Sequence, residues 1–297
     1  MIQITYKPEY ANRIFEAVEL SCNDKFDSIR AAILHHLAFL NHYDIYRSFR
    51  IFKQLVNSEN VELLKVSFWS ARYYRSNFFE EMIPFLRKLM SIEDLVENTA
   101  DFIGVSWLEG INGSEQLLNE IIEKSDAARV RMVHLVDVNF SHEDDTVREK
   151  CVQLFKRFLT EDSKEIADNY SHIFINLSIE RFSSLLPVLT DYSKAKVCWR
   201  NPHYFIEFLF KCSAKYPVEA LMLLSNINLS YFNEETDYIY YSDDILNVIV
   251  GSYNSLISRS KKNKRQIEHS INLFDKYLKD QRFRNAAEEI LFKNDYK

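Results

Sequence analysis

The stretch FDSIRAAILHHLAFL, residues 26–40, carries its apolar side chains at the spacing of an amphipathic helix. The apolar positions are separated by one, three or four residues: Phe26, Ile29, Ile33, Leu34, Leu37 and Leu40. This spacing places them on one face, because an α-helix completes a turn in about 3.6 residues. The stretch therefore predicts a helix whose apolar face packs against a neighbouring helix.

The same periodicity recurs in four further windows: residues 43–56, 78–90, 152–159 and 267–278. Short polar segments separate such windows, and their Ser, Asp and Asn residues are favourable N-caps. Short connections between amphipathic helices give antiparallel neighbours. The sequence thus predicts an all-α fold, an α-solenoid of antiparallel helix pairs that forms one domain over residues 1–297. The pattern is more regular in residues 20–160 than in residues 161–297.

Glycine and proline are scarce, since the 297 residues include only 4 Gly and 5 Pro. All-β folds need these residues in their turns, and nucleotide-binding α/β folds need a glycine-rich loop. The composition therefore disfavours both classes. The 47% of hydrophobic and 27% of charged residues are typical of a folded globular chain.

The formal net charge is -6 and the isoelectric point is near 5.8. Dedicated nucleic-acid binders usually carry an excess of Lys and Arg, so the balance disfavours nucleic acid as a partner. The start of the chain does not resemble a leader peptide, and no run of ~18 apolar residues occurs. We therefore expect a cytoplasmic protein without membrane contact, whose four scattered cysteines are reduced, buried thiols.

A short motif, Asp followed three residues later by Arg or a polar residue, opens several windows: Asp27 with Arg30, Asp94 with Glu97, Asp126 with Arg129, and Asp145 with Arg148. Over residues 20–160 the motif resembles the inner-helix start of HEAT-type repeats, in which the Asp caps the helix and the Arg bridges to the next repeat. Asp94 and Asp126 lie 32 residues apart, which fits one helical repeat unit. The 19 residues between Asp126 and Asp145 are too few for a unit.

A second resemblance concerns two pairs of segments: 71–74 with 85–89, and 216–221 with 273–277. They look like the carboxy-terminal helical region of large bacterial ATP-binding proteins of the STAND type. In that family this region is a solenoid sensor arm, and the nucleotide site lies upstream of it. The resemblance implies an arm without the ATP-binding domain.

Common catalytic and cofactor-binding motifs are absent from the sequence. The glycines between Gly104 and Gly113 have no Lys-Ser/Thr after them, as a phosphate-binding loop requires. His35 and His36 are adjacent and therefore point about 100° apart on a helix, which disfavours a shared metal ion. No GxSxG or HExxH occurs. We therefore expect no catalytic residue, no cofactor and no metal.

Five cations lie close together in one segment and form a candidate partner- or phosphate-binding patch: Arg259, Lys261, Lys262, Lys264 and Arg265. Such a cluster produces a strong local field that attracts phosphate, nucleic acid or an acidic protein surface. The alternative is a solvated loop between two helices, with cations near a helix C-terminus.

Aromatic residues form two further candidate surfaces. Tyr238, Tyr240 and Tyr241 lie in the acidic, tyrosine-rich segment 231–244, which shows no helical stripe and is interpreted as a long loop. Tyrosines of this kind are common at protein interfaces. The other cluster combines Phe68 and Trp69 with Tyr73 and Tyr74, and we expect it to serve mainly in packing.

These observations favour a non-catalytic protein-interaction scaffold or sensor arm, because solenoids present an extended surface and need no chemistry of their own. The STAND resemblance implies a partner in a bacterial defence or signalling assembly. The alternative is a nucleic-acid-binding HEAT-like protein such as an alkylpurine DNA glycosylase, which needs a basic groove with Trp, Tyr and a carboxylate. A third possibility is a part of a larger chain or complex that acts only in that context.

Overall fold

The computed structural model describes residues 8–228, 235–259, 263–279, 283–285 and 287–288. All regular secondary structure in these ranges is helical, which confirms the predicted all-α class. The α-helices are, in chain order, α1 Ala11–Ser21, α2 Asp27–His36, α3 Asn41–Val56, α4 Val61–Met90, α5 Val96–Leu108, α6 Ser114–Lys124, α7 Asp126–Asn139, α8 Asp145–Arg157, α9 Lys164–His172, α10 Phe182–Ser193, α11 Lys196–Arg200, α12 His203–Ser213, α13 Pro217–Asn226, α14 Glu235–Arg259 and α15 Lys264–Leu278.

The contacts divide the chain into two compact units, Met1–Met132 (unit 1) and Val133–Lys297 (unit 2). In unit 1, α4 packs against the following helix α5 and also against α2, two helices earlier. In unit 2, α12 packs in the same way against α13 and α14. Contacts with the next helix and with the next but one are the packing of a helical solenoid. The prediction of one continuous domain over residues 1–297 stays a prediction.

Several polar breaks act as helix caps, as the sequence predicts. The Asn60 side chain accepts hydrogen bonds from two backbone amides in the first turn of α4. Asp144 does the same at α8, and these backbone hydrogen bonds lower the pKa of its carboxyl group. Ser163 accepts from the Ile166 amide at the start of α9. Each cap satisfies an amide that the helix itself leaves free.

The helix α4 runs without interruption from Val61 to Met90, but it bends at Phe78, whose φ of -137° and ψ of 26° are not helical. Pro84 lies inside the helix, six residues after the bend. A proline removes one backbone hydrogen bond and its ring crowds the preceding turn, so kinks form just before it. The two arms of α4 therefore serve as the two helices of one pair.

Hydrogen bonds between side chains connect equivalent positions of successive helix pairs. Four such bonds join residues 32 or 33 apart in sequence: Asn60 with Asp27, Asn112 with Glu80, Asn201 with Asp168, and Asn226 with Ser193. The first two lie in unit 1 and the other two in unit 2. Both units thus share a repeat of about 33 residues, in agreement with the spacing of Asp94 and Asp126 in the sequence.

The Asp-x-x-Arg motif forms a local ion pair at three helix starts: Asp27 with Arg30 in α2, Asp126 with Arg129 in α7, and Asp145 with Arg148 in α8. Arg129 also donates a 2.8 Å hydrogen bond to the Ile122 carbonyl, seven residues back in the chain. The arginine therefore ties its helix to the segment just before it. In the first copy it is Asp27, through Asn60, that reaches the next pair.

The short spacing of Asp126 and Asp145 now has a physical reason. Asp126 begins α7 and Asp145 begins α8, which follows directly. The 19 residues between them separate the two helices of one pair, whereas the other copies of the motif begin successive pairs.

All four cysteines are buried free thiols. Burial raises the pKa of Cys22 to about 11 and those of Cys151 and Cys212 to about 12. Burial also raises the pKa of Cys198. Because the thiolate is the reactive form, we expect iodoacetamide at neutral pH to leave all four unlabelled in the folded chain and to label all four in urea. Mass spectrometry of the intact protein measures this, and rapid labelling of any cysteine without urea would contradict the burial described.

Candidate interaction surface

The predicted tyrosine-rich loop is wrong from residue 235 onward, because α14 begins at Glu235. Two acidic residues, Glu235 and Asp237, lie in the first turn of α14, where negative charge is favourable. The sequence pattern hides this helix because tyrosines occupy positions where aliphatic residues would mark the stripe. The backbone of Tyr238, Tyr240 and Tyr241 is helical, and their side chains lie outside the described residues.

The basic segment connects α14 with α15. Arg259 is the last residue of α14, while Lys261 and Lys262 lie outside the described residues. Lys264 and Arg265 are exposed and begin α15. The Lys264 Nζ lies 4.0 Å from Glu268 one turn later, so this cation is partly neutralised within its own helix. The binding role of the patch stays a prediction.

A cluster in unit 1 that the sequence assigns to packing is largely exposed. Trp69 and Tyr73 on α4 are 45% and 48% exposed, and Phe39, just after α2, is 60% exposed. Tyr74, next in sequence, is fully buried. Consecutive helical residues point about 100° apart, so the packing of α2 against α4 buries one tyrosine and leaves the other at the surface.

The exposed rings are in contact with one another and with a cation. The His35 ring stacks on the Trp69 ring with a centroid distance of 5.1 Å and an angle of 12° between planes. The Arg72 guanidinium lies 3.7 Å from the Trp69 ring centroid and donates a 3.0 Å hydrogen bond to the Tyr73 hydroxyl. We call the following six residues the aromatic face: His35, His36, Phe39, Trp69, Arg72 and Tyr73.

The histidines connect the two ends of the aromatic face. The His36 ring meets the His35 ring edge-on at 4.8 Å and stacks on Phe39 at 6.1 Å. His35 lies one helical turn before Phe39, and Trp69 lies one turn before Tyr73. Both pairs have the i, i+4 spacing that places two side chains on one side of a helix. A row of rings thus runs from α2 across to α4.

Two open grooves flank this row. The first groove, of about 840 Å³, lies between α1 and α2 and is lined by Arg13, Ile14, Ile29 and His36 among others. The second groove, of about 490 Å³, lies between α2, α4 and α5, and its lining includes His35, Lys65, Trp69, Asn98 and Asp101. Because His36 lines one groove and His35 the other, the aromatic face joins them.

The ions of the second groove are internally paired. Lys65 lies 2.9 Å from Glu62, and Arg131 donates to Asp101 at 3.0 Å. The Asp101 contact raises the pKa of Arg131, and the hydrogen bond from Glu62 raises the pKa of Lys65. Such surface pairs keep each other charged and contribute little net field to the groove.

Unit 2 brings together histidines that look isolated in the sequence. The Tyr204 ring lies 4.5 Å from the His203 ring and 5.5 Å from the His172 ring, centroid to centroid. Burial raises the pKa of Asp137 on α7, and His134 and His172 partly oppose that rise. The three histidines lie in successive helix pairs, so only the stacking of the pairs makes them neighbours.

Metal ligands and membrane spans were the remaining possibilities. Within the described ranges, His, Cys, Asp and Glu side chains form no group of three or more that is placed to hold a metal ion. In the same ranges no helix combines the length and the apolar composition that crossing a membrane requires.

Comparison with known proteins gives no relative: no family model, no curated protein and no solved structure matches the chain.

Proposed function

We propose that the chain is a non-catalytic helical-repeat scaffold that binds another protein through the aromatic face of unit 1. The observation that carries this proposal is the joint exposure of Phe39, Trp69 and Tyr73 next to one another. An exposed large apolar side chain is ordinary when it stands alone, whereas a contiguous group marks an interaction site.

The composition of the aromatic face also suits a protein partner. Trp, Tyr and Arg dominate the residues whose truncation weakens protein complexes most. Arg72 and His35 hold the Trp69 ring from neighbouring positions, so little side-chain freedom is lost when a partner covers it. The surface is therefore partly preorganised for binding.

The resemblances in the sequence extend this proposal. A HEAT-like arrangement would make the chain one segment of an extended binding surface in the cytoplasm. As a STAND-type sensor arm, it would receive a trigger molecule or another subunit of a bacterial defence or signalling assembly. The 33-residue spacing of the hydrogen bonds supports the repeat character that both interpretations require.

The second groove offers one observation in favour of the nucleic-acid alternative, since Trp69, Lys65 and Asp101 line it together. A HEAT-like DNA glycosylase would need those residue types. The pairing of Lys65 with Glu62 leaves little charge for phosphates, and the net charge of -6 opposes DNA binding as a whole. We therefore rank this function second.

Affinity capture from the native cell tests the proposal when three chains are compared. We expect the wild-type chain to retain a protein that the double variant Trp69→Ala, Tyr73→Ala loses, and that the control Tyr46→Ala retains. Tyr46 is 75% exposed on α3 and is not part of the aromatic face, so the control removes a similar amount of exposed aromatic surface. Mass spectrometry identifies the captured protein, and titration of the purified protein gives the affinities. Equal affinity for all three chains, or recovery of nucleic acid alone, would contradict the proposal.

A further inference from the structure

The arginines of unit 1 are almost all neutralised by a neighbouring carboxylate. The pairs are Arg30 with Asp27, Arg47 and Arg50 with Glu19, Arg75 with Glu109, Arg87 with Glu120, Arg129 with Asp126, and Arg131 with Asp101. Arg13 and Arg72 are the exceptions: both are exposed, and neither forms an ion pair with a carboxylate of the described residues. Instead, Arg13 lies 6.0 Å from the Tyr10 ring centroid and Arg72 lies over Trp69.

These two arginines belong to one continuous surface. Arg13 and His36 both line the first groove, and His36 is joined to Arg72 through His35 and Trp69. None of the described residues that line the first groove is acidic. The surface therefore carries positive charge that the described part of unit 1 does not neutralise.

The floor of the first groove is aliphatic. Ile14 and Val18 on α1 face it, together with Ile29 and Ile33 on α2. The lining positions on α1 recur every three or four residues from Tyr10 to Ser21, so the groove follows the helix for about three turns. A groove of this shape accepts the apolar stripe of another helix, whose side chains recur at the same interval.

We propose that the first groove and the aromatic face bind an acidic amphipathic helix of a partner protein, with its apolar stripe on Ile14 and Ile29 and its carboxylates on Arg13 and Arg72. This inference rests on the proposed function and specifies the partner. Because the short connection between α1 and α2 makes them antiparallel, the beginning of α1 lies beside the end of α2. Arg13 and His36 are thus at the same end of the groove, so the carboxylates of the partner helix cluster at one end. The aliphatic floor separates this ligand from a nucleic acid, which needs phosphate contacts along its whole length.

Two matched peptides test the inference with the full chain. Each has about 15 residues, roughly 22 Å as a helix, and the same stripe of Leu at i, i+3, i+4 and i+7. The exposed positions carry Glu at one end in the first peptide and Lys in the second. We expect the Glu peptide to bind at least about tenfold more tightly by fluorescence anisotropy, and salt to weaken it. The net charge of -6 favours the Lys peptide everywhere else on the chain, so a preference for Glu reports this surface.

Substitutions identify the arginines responsible. Arg13→Gln with Arg72→Gln should remove most of the preference for the Glu peptide, whereas Arg50→Gln, an exposed arginine on α3 that is paired with Glu19, should leave it unchanged. Circular dichroism confirms that each variant keeps its helical content. Equal binding of both peptides, or a single-stranded oligonucleotide that binds through Arg13 and Arg72 while the Glu peptide does not, would overturn the inference.

The two proposals fail in different ways. A captured partner that depends on Trp69 and Tyr73 but binds equally well to the Arg13→Gln, Arg72→Gln variant would leave the scaffold function standing and overturn the acidic-helix inference. A partner that depends on none of these four residues would overturn both.

Discussion

Replacing Tyr192 by alanine should cost unit 2 about 3–5 kcal/mol of its free energy of unfolding, the largest loss that we expect from a single substitution. Tyr192 is fully buried, and its ring lies 5.0 Å from Phe174 and 5.1 Å from Phe205, centroid to centroid. Removing it leaves a cavity that these rings cannot fill without moving. Urea unfolding of the purified chain, followed by circular dichroism, measures the loss.

The two buried tyrosines of this cluster should respond differently to phenylalanine. The Tyr170 hydroxyl donates to the Phe155 carbonyl, so Tyr170→Phe should lose about 1–2 kcal/mol. Among the described residues the Tyr192 hydroxyl has only the Cys198 thiol beside it, a weak acceptor. Tyr192→Phe should therefore cost less than about 0.5 kcal/mol or add stability. A larger loss for Tyr192→Phe than for Tyr170→Phe would show that the hydroxyl contacts described are wrong.

Tyr73→Ala and Tyr74→Ala should produce opposite phenotypes although the residues are adjacent. Tyr74 is fully buried, and its hydroxyl lies 2.5 Å from the Ser48 Oγ, so its loss should cost about 3–5 kcal/mol of stability. Tyr73 is 48% exposed, and its loss should cost less than about 1 kcal/mol of stability. A captured partner should bind the Tyr73 variant about 30-fold more weakly, which corresponds to about 2 kcal/mol.

Two measurements separate these outcomes. Urea unfolding gives the stability of each variant, and a titration at a temperature where both remain folded gives the affinity for the captured partner. If Tyr73→Ala unfolded as readily as Tyr74→Ala, its ring would belong to the core and not to the aromatic face. If the partner bound Tyr73→Ala with wild-type affinity, the interface would lie elsewhere.

The sequence predicts the all-α class well because the helical stripe is a local signal. Residues 26–40 show it within a few turns, and the structure forms α2 there. The N-caps at Asn60 and Asp144 are local for the same reason. The start of α14 is missed because its tyrosines do not count as apolar in a simple pattern, although they recur with the helical period.

The aromatic face is not predictable from the sequence because its exposure depends on which helices pack together. Trp69 and Tyr74 belong to the same run of residues, and only the packing of α2 against α4 exposes one and buries the other. The i, i+3, i+4 spacing of Trp69, Arg72 and Tyr73 was the available signal. The 34 positions that separate His35 from Trp69 match the repeat and indicate equivalent places in successive pairs.

The side-chain bonds between residues 32 or 33 apart bear on how such a chain changes over evolutionary time. Each of them joins one pair only to the next pair. Duplication of a whole pair therefore creates a new set of bonds and disturbs none of the old ones. An insertion of a few residues within a helix shifts every later partner out of reach, so we expect homologues to differ in length by entire pairs or within the connecting segments.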